Sequence, residues 1–183
     1  MLHSEKHSGI IRGVKSHESN YAFIDSQNLN LGIQKLGWKL DYKKFRIYLK
    51  EKYNVSVAYL FIGYIPANVL MYKGLKNAGF ELVHKPITKL KDGTVKGNVD
   101  ADLVLHTMIQ FPNYFQAVII TSDGDFNSLI EYLREQNKLK VVLSPDVKTC
   151  SRLLKKAAKN KIIYMDKLDQ KLSLKNEKAP PKD

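Results

Sequence analysis

Val118-Ile119-Ile120-Thr121-Ser122-Asp123-Gly124-Asp125-Phe126 is the stretch from which the rest of the chain is best understood. Apolar and β-branched residues run straight into two carboxylates separated by one glycine. A short apolar run closed by a turn signal has the character of a buried parallel strand. In an open α/β sheet, ligands bind in the crevice at the carboxyl ends of the strands. That places Asp123 and Asp125 at the rim of such a crevice. Acidic groups this close repel unless a cation or a proton lies between them. Both are therefore candidate ligands of a divalent metal.

The same pattern occurs earlier. Tyr21-Ala22-Phe23-Ile24-Asp25 is an apolar strand ending in a carboxylate, after which Ser26-Gln27-Asn28-Leu29 turns the chain. Asp41 suits the N-cap of a helix to about Lys52, with Tyr42, Phe45, Leu49 and Tyr53 on one face. Val55 to Gly63 is rich in β-branched and aromatic residues and reads as a strand. Pro66 opens the next helix and Gly79 stops it. Phe80 to His84 is a third strand. Asp92-Gly93, flanked by Thr88, Leu90, Thr94 and Val95, predicts a small hairpin at the sheet edge. It carries Lys85, Lys89, Lys91 and Lys96 against the acid Asp92.

A helix follows from Asn98 or Val99 to Phe111, its inward stripe formed by Asp100, Leu103, Val104 and Thr107. Asp102 lies about 200° around the axis from Asp100, so a regular helix cannot aim both at one site. It is spaced to pair with His106. Beyond the central strand, Phe126 to Gln136 is a helix with Leu129, Ile130 and Leu133 inward. Leu139 to Leu143 is a strand, Val147 to Lys159 a helix and Ile162 to Met165 a last strand. Residues 1–19, with His3, His7 and His17 irregularly spaced, read as a flexible tail. Residues 20–165 read as one domain, and residues 166–183 as a polar tail.

Strands alternating with helices argue a mainly parallel α/β sheet covered on both faces. In the common strand order 3-2-1-4-5, strands 1 and 4 are neighbours across the switch point. Asp25 and Asp123 then meet, and Asp100, at the head of the helix feeding strand 4, closes the group.

The 183 residues carry a formal net charge of +12, with 44% hydrophobic and 26% charged residues. The length suits one domain with a sizeable core. The charge favours a polyanionic partner, or else simply keeps the surface solvated. From Lys148 to Lys161 there are six basic residues and no acid. The single cysteine, Cys150, excludes an internal disulfide and suits a reducing compartment. No apolar run approaches the roughly 20 residues that span a bilayer, and residues 1–20 lack a signal-peptide core. The expectation is a soluble, cytoplasmic protein with no membrane partner.

Oxygen ligands without a cysteine or histidine cluster favour Mg²⁺ or Mn²⁺ over zinc. Such an ion lowers the pKa of a bound water and neutralises a phosphodiester, while lysines hold the phosphate backbone. Lys96, just ahead of Asp100, is the best placed. Each acid also has a purely structural role open to it. Asp25 can cap a turn, Asp123 can accept loop N–H groups, Asp125 can cap a helix, and Asp100 can sit on a helix dipole. The clustering of all of them at one sheet end is what favours a functional reading.

Three stretches together carry a family resemblance. They are Phe23-Ile24-Asp25-Ser26-Gln27-Asn28-Leu29, Lys96-Gly97-Asn98-Val99-Asp100-Ala101-Asp102-Leu103 and Thr121-Ser122-Asp123-Gly124-Asp125-Phe126. They resemble, in order, the motifs of NYN-domain proteins of the LabA-like branch, related to PIN-type nucleases. The resemblance spans about residues 20–165. It implies a PIN-like, Rossmann-like three-layer fold and metal-dependent RNA cleavage. It assigns catalysis and metal ligation to Asp25, Asp100, Asp123 and Asp125. It assigns substrate contacts to Asn28, Lys96 and Ser122. The function expected is that of a Mg²⁺- or Mn²⁺-dependent ribonuclease. A non-catalytic RNA-binding module and a phosphatase built on the same crevice are the competing readings. Exposed tyrosines would suit a homodimer.

Overall fold

The computed structural model describes residues 18–86, 88–89, 95–96 and 99–174. In chain order, β1 (Asn20–Asp25) leads into α1 (Ser26–Lys35) and α2 (Tyr42–Tyr53), then β2 (Val55–Tyr64). A 3₁₀ turn at Pro66–Asn68 opens α3 (Val69–Asn77), which returns to β3 (Glu81–Pro86). The short strands β4 (Thr88–Lys89) and β5 (Val95–Lys96) precede α4 (Asp100–Ile109). The second half is β6 (Ala117–Ile120), a 3₁₀ turn at Gly124–Phe126, α5 (Asn127–Glu135), β7 (Leu139–Ser144), α6 (Arg152–Ala158), β8 (Ile162–Tyr164) and α7 (Asp169–Leu172).

The main sheet has six strands in the order β3-β2-β1-β6-β7-β8, and every pairing is parallel. This is the expected order with one further edge strand. The chain runs outward from β1 to β3, then crosses back to β6 and runs outward the other way. Right-handed crossovers put the helices of the two halves on opposite faces. The alternation along β1 follows from this. Ala22 and Ile24 join a core with Leu29, Ile33, Phe45, Leu49, Leu60 and Leu172. Phe23 points the other way, to a core with Phe61, Leu103, Ile119, Ile130 and Leu154. Strands buried on both faces read as continuous apolar runs, which is why β6 contains nothing polar.

Several local expectations are revised. Ser26 to Leu29 is not a simple turn but the start of α1. The Asp25 carboxylate caps it by accepting the Asn28 N–H at 3.0 Å. The helix from Val147 starts five residues late, at Arg152, capped by Ser151. Asp146 holds the preceding loop, its Oδ1 accepting Lys148 N–H at 2.9 Å and its carbonyl accepting Cys150 N–H at 3.2 Å. A loop carboxylate competing for backbone N–H groups delays the helix. Residues 166–174 do not form the expected tail. Leu172 is 0% exposed, and Ser173 pairs with Leu40. The expected pair between Asp102 and His106 is replaced. Asp102 Oδ2 lies 2.8 Å from Lys85 Nζ. The His106 ring instead meets Tyr59 edge-on at 4.5 Å, and among the described residues its Nε2 has no hydrogen-bond partner.

β4 and β5 pair antiparallel, Thr88 with Lys96 and Lys89 with Val95, as a hairpin requires. The Asp92-Gly93 turn, Asn98, the N-terminal histidines and residues 175–183 lie outside the described residues. Among the described residues, no helix is long and apolar enough to cross a membrane.

Candidate metal centre

The reversal of strand order falls between β1 and β6, which pair from Tyr21–Ala117 to Ile24–Ile120. Their carboxyl ends therefore open side by side, with the loops turning away in opposite directions. Asp25 ends β1, and Asp123 follows β6. Asp100 arrives from a third segment, in the first turn of α4. A cleft of about 380 Å³ is lined by Asp25, Gln27, Asn28, Leu31, Val99, Asp100 and Asp123.

Asp100, Asp123 and Asp125 each offer a carboxylate oxygen within 4.8 Å of the other two. Asp25 adjoins them and is only 6% exposed. Burial, together with the charges of Asp100 and Asp123, pushes its pKa up from 3.8 to about 6, although N–H groups of Asn28 and Gln27 oppose the shift. The structure thus brings together the four acids singled out from the sequence. It leaves Asp102 outside, on the face where it meets Lys85.

Two of the acids also do structural work. Asp25 caps α1. Asp123 Oδ1 accepts Asp125 N–H at 3.0 Å and caps the 3₁₀ turn. Asp125 is not a helix cap; it is exposed and lines a second cleft that adjoins the first. Asn28 and Ser122 bind each other: Asn28 Oδ1 accepts both the Ser122 N–H and the Ser122 hydroxyl, each at 2.8 Å. Their first task is to lock α1 to the loop after β6. Lys96 lies on β5; its side chain is outside the described residues.

The second cleft, of about 430 Å³, continues past Asn28, Leu31 and Asp123 to Lys35, Thr149 and Ser151. Lys35, Thr149 and Ser151 are missed by the sequence reasoning. Lys35 was within reach: Asn28, Leu31, Gly32 and Lys35 follow the helical period, so a helix there puts the lysine on the asparagine's face. Thr149 and Ser151 carry no such signal, because the Asp146 loop delivers them. Gly124 makes the close approach possible. A Cβ there would collide with the Ser151 hydroxyl, and Ser151 N–H donates to Ser122 carbonyl at 2.9 Å.

The arrangement is an all-oxygen cluster at the switch point of a parallel sheet, which is the architecture of PIN-like nuclease domains. The NYN domain model matches residues 21–166, and the chain belongs to this family, one of the PIN-like nuclease families. It is similar to the Low amplitude and bright protein LabA of Synechococcus elongatus, at 24% identity over 68% of this chain and 72% of that protein. A crystal structure of a protein of unknown function from Vibrio parahaemolyticus has the same fold. It superposes with a TM-score of 0.68 at 22% identity, covering 87% of this chain and 99% of the other.

Proposed function

We propose that this protein is a ribonuclease dependent on Mg²⁺ or Mn²⁺. The observation that most supports this is the meeting of Asp100, Asp123 and Asp125 oxygens within 4.8 Å, beside a buried Asp25. Carboxylates crowded this closely repel at a cost that a divalent cation removes. A donor set made only of oxygen suits a hard ion.

Asp100, Asp123 and Asp125 would hold the ion, with Asp25 behind them. When bound, it supplies Lewis-acid polarisation of a phosphoryl oxygen and lowers the pKa of water beside it. The chain's own groups do the rest. Asn28 and Ser122 fix the spacing between the β1 and β6 loops, so the carboxylates need not reorganise. Asp25, whose pKa burial raises only to about 6, is ionised at neutral pH and would add its negative charge behind the ion. Lys35 lines the cleft beyond Asp123 and neutralises the phosphate on that side. Lys96 takes the same role from the hairpin. The net charge of +12 draws a polyanion rather than a small ester.

The test is incubation of purified protein with single-stranded RNA and Mn²⁺. Cleavage should occur, stop with chelator and be absent in Asp123→Asn. Equal cleavage by Asp123→Asn and Asp25→Asn would mean a contaminating enzyme. The capping by Asp25 and Asp123 favours a second reading, a non-catalytic RNA-binding module that keeps its acids for the fold. Salt-sensitive RNA binding without turnover under any divalent ion would establish that instead.

A further inference from the structure

The acidic cleft has a neighbour of different chemistry. A cavity of about 460 Å³ opens between α1, α2 and the start of α3. It shares Gln27 and Val99 with the acidic cleft, and these residues are next in sequence to others of that cleft, Val99 to Asp100 and Gln27 to Asn28. Its walls include Tyr42, Ile65 and Met71, and its polar groups include the amides of Gln27, Asn30 and Asn68. Among the described residues, none that lines it is charged. This contrasts with a chain of net charge +12 and with the carboxylates next door.

We propose that this cavity is a nucleobase pocket, which takes an unpaired base of the RNA whose phosphate lies in the acidic cleft. The proposal rests on the nuclease reading for its choice of RNA. A phosphate or a charged peptide side chain finds no counter-charge among the described residues of the cavity's lining. A base is flat, neutral and ringed with donors and acceptors. It stacks on aromatic and apolar walls and hydrogen-bonds along its edges, and proteins reading unpaired RNA supply those two features together. Side-chain amides carry both a donor and an acceptor, so they can match a base edge where a lysine cannot. Met71 is 45% exposed, so the lip of the cavity is apolar too and the next base can rest on it. A base inside a duplex could not enter, so the pocket also selects single-stranded substrate.

The experiment compares short RNA oligonucleotides that differ only at one central base, including an abasic version, in binding and in cleavage. Wild type should bind its preferred base about tenfold or more tightly than the abasic oligonucleotide, the scale of one stacked base. Met71→Glu and Asn68→Ala, both confirmed folded by thermal melting, should lose that difference. Within each variant, base-bearing and abasic RNA should be cleaved at equal rates. Base-independent binding and cleavage in wild type would overturn the pocket and leave the nuclease reading standing. Base-dependent binding without cleavage under any divalent ion would uphold the pocket and overturn the nuclease reading. Self-association that Met71→Glu abolishes, with no effect of base identity, would make the lip a contact between copies and also overturn the pocket.

Discussion

Asn28 and Ser122 are 94 residues apart in the chain, yet one side-chain oxygen of Asn28 accepts two hydrogen bonds from Ser122 at 2.8 Å. The bonds join the two loops that diverge at the switch point. Ser122 is only 6% exposed, so its donors have little water to fall back on. Asn28→Ala should destabilise the protein by about 1–3 kcal/mol, the scale for stranding buried donors. Ser122→Ala removes one bond and should cost less, about 0.5–1.5 kcal/mol. Urea denaturation of the two variants gives the ranking, and a reversed order would contradict it.

Asp25 should oppose stability at neutral pH when no cation is bound. Its folded pKa of about 6 lies above the ordinary 3.8, so the folded state holds the proton more tightly than the unfolded chain. That contribution is complete below pH about 4 and is lost as pH rises through about 6. Asp25→Asn keeps a residue able to cap α1 and removes the charge. In chelator at pH 7.5 the variant should therefore unfold at a higher urea concentration than wild type. At pH 4 the advantage should vanish. Adding Mn²⁺ should stabilise wild type more than the variant.

Gly124→Ala should strain the cleft. The new methyl group meets the Ser151 hydroxyl, and overpacking of this kind costs about 1–3 kcal/mol. Changing Ser151 to Gly in the same molecule should restore most of the loss, since glycine is tolerated at an N-cap. Thermal melting of the single and double variants tests the contact, and no rescue would place the strain elsewhere.

The segment after Asp166 should be part of the stable unit. Leu172 is fully buried against the face carrying Ile24 and Leu49. Leu172→Ala should cost about 2–5 kcal/mol, and removal of residues 167–183 at least as much. A truncated chain with unchanged denaturant midpoint would contradict this.

The sequence was most informative where one physical effect dominates. The apolar runs of β1 and β6, short and closed by turn signals, suit strands buried on both faces. With their order, the meeting of Asp25, Asp100 and Asp123 follows from topology. It was least informative where local signals compete. α1 contains serine, asparagine and a glycine, all poor helix formers in a helix interior, and tertiary packing overrides them: Gly32 lies against Pro145, and Leu29 and Ile33 fill the core. α6 starts late because Asp146 claims nearby N–H groups. α7 is only four residues long, too short for periodicity to register, and one buried leucine anchors it. Asp102 met Lys85 rather than His106 because a neighbour on β3 was closer than any spacing rule could reveal.

The central claim is that carboxylates from three distant segments form one cation site. Calorimetric titration of the chelator-treated protein with Mn²⁺ at pH 7.5 tests it most directly, with Asp100→Asn and Asp123→Asn alongside. The account predicts saturable binding by wild type and at least about tenfold weaker binding by each variant, since each loses a charged ligand. Binding of equal strength in all three proteins, or no binding by wild type, would contradict it.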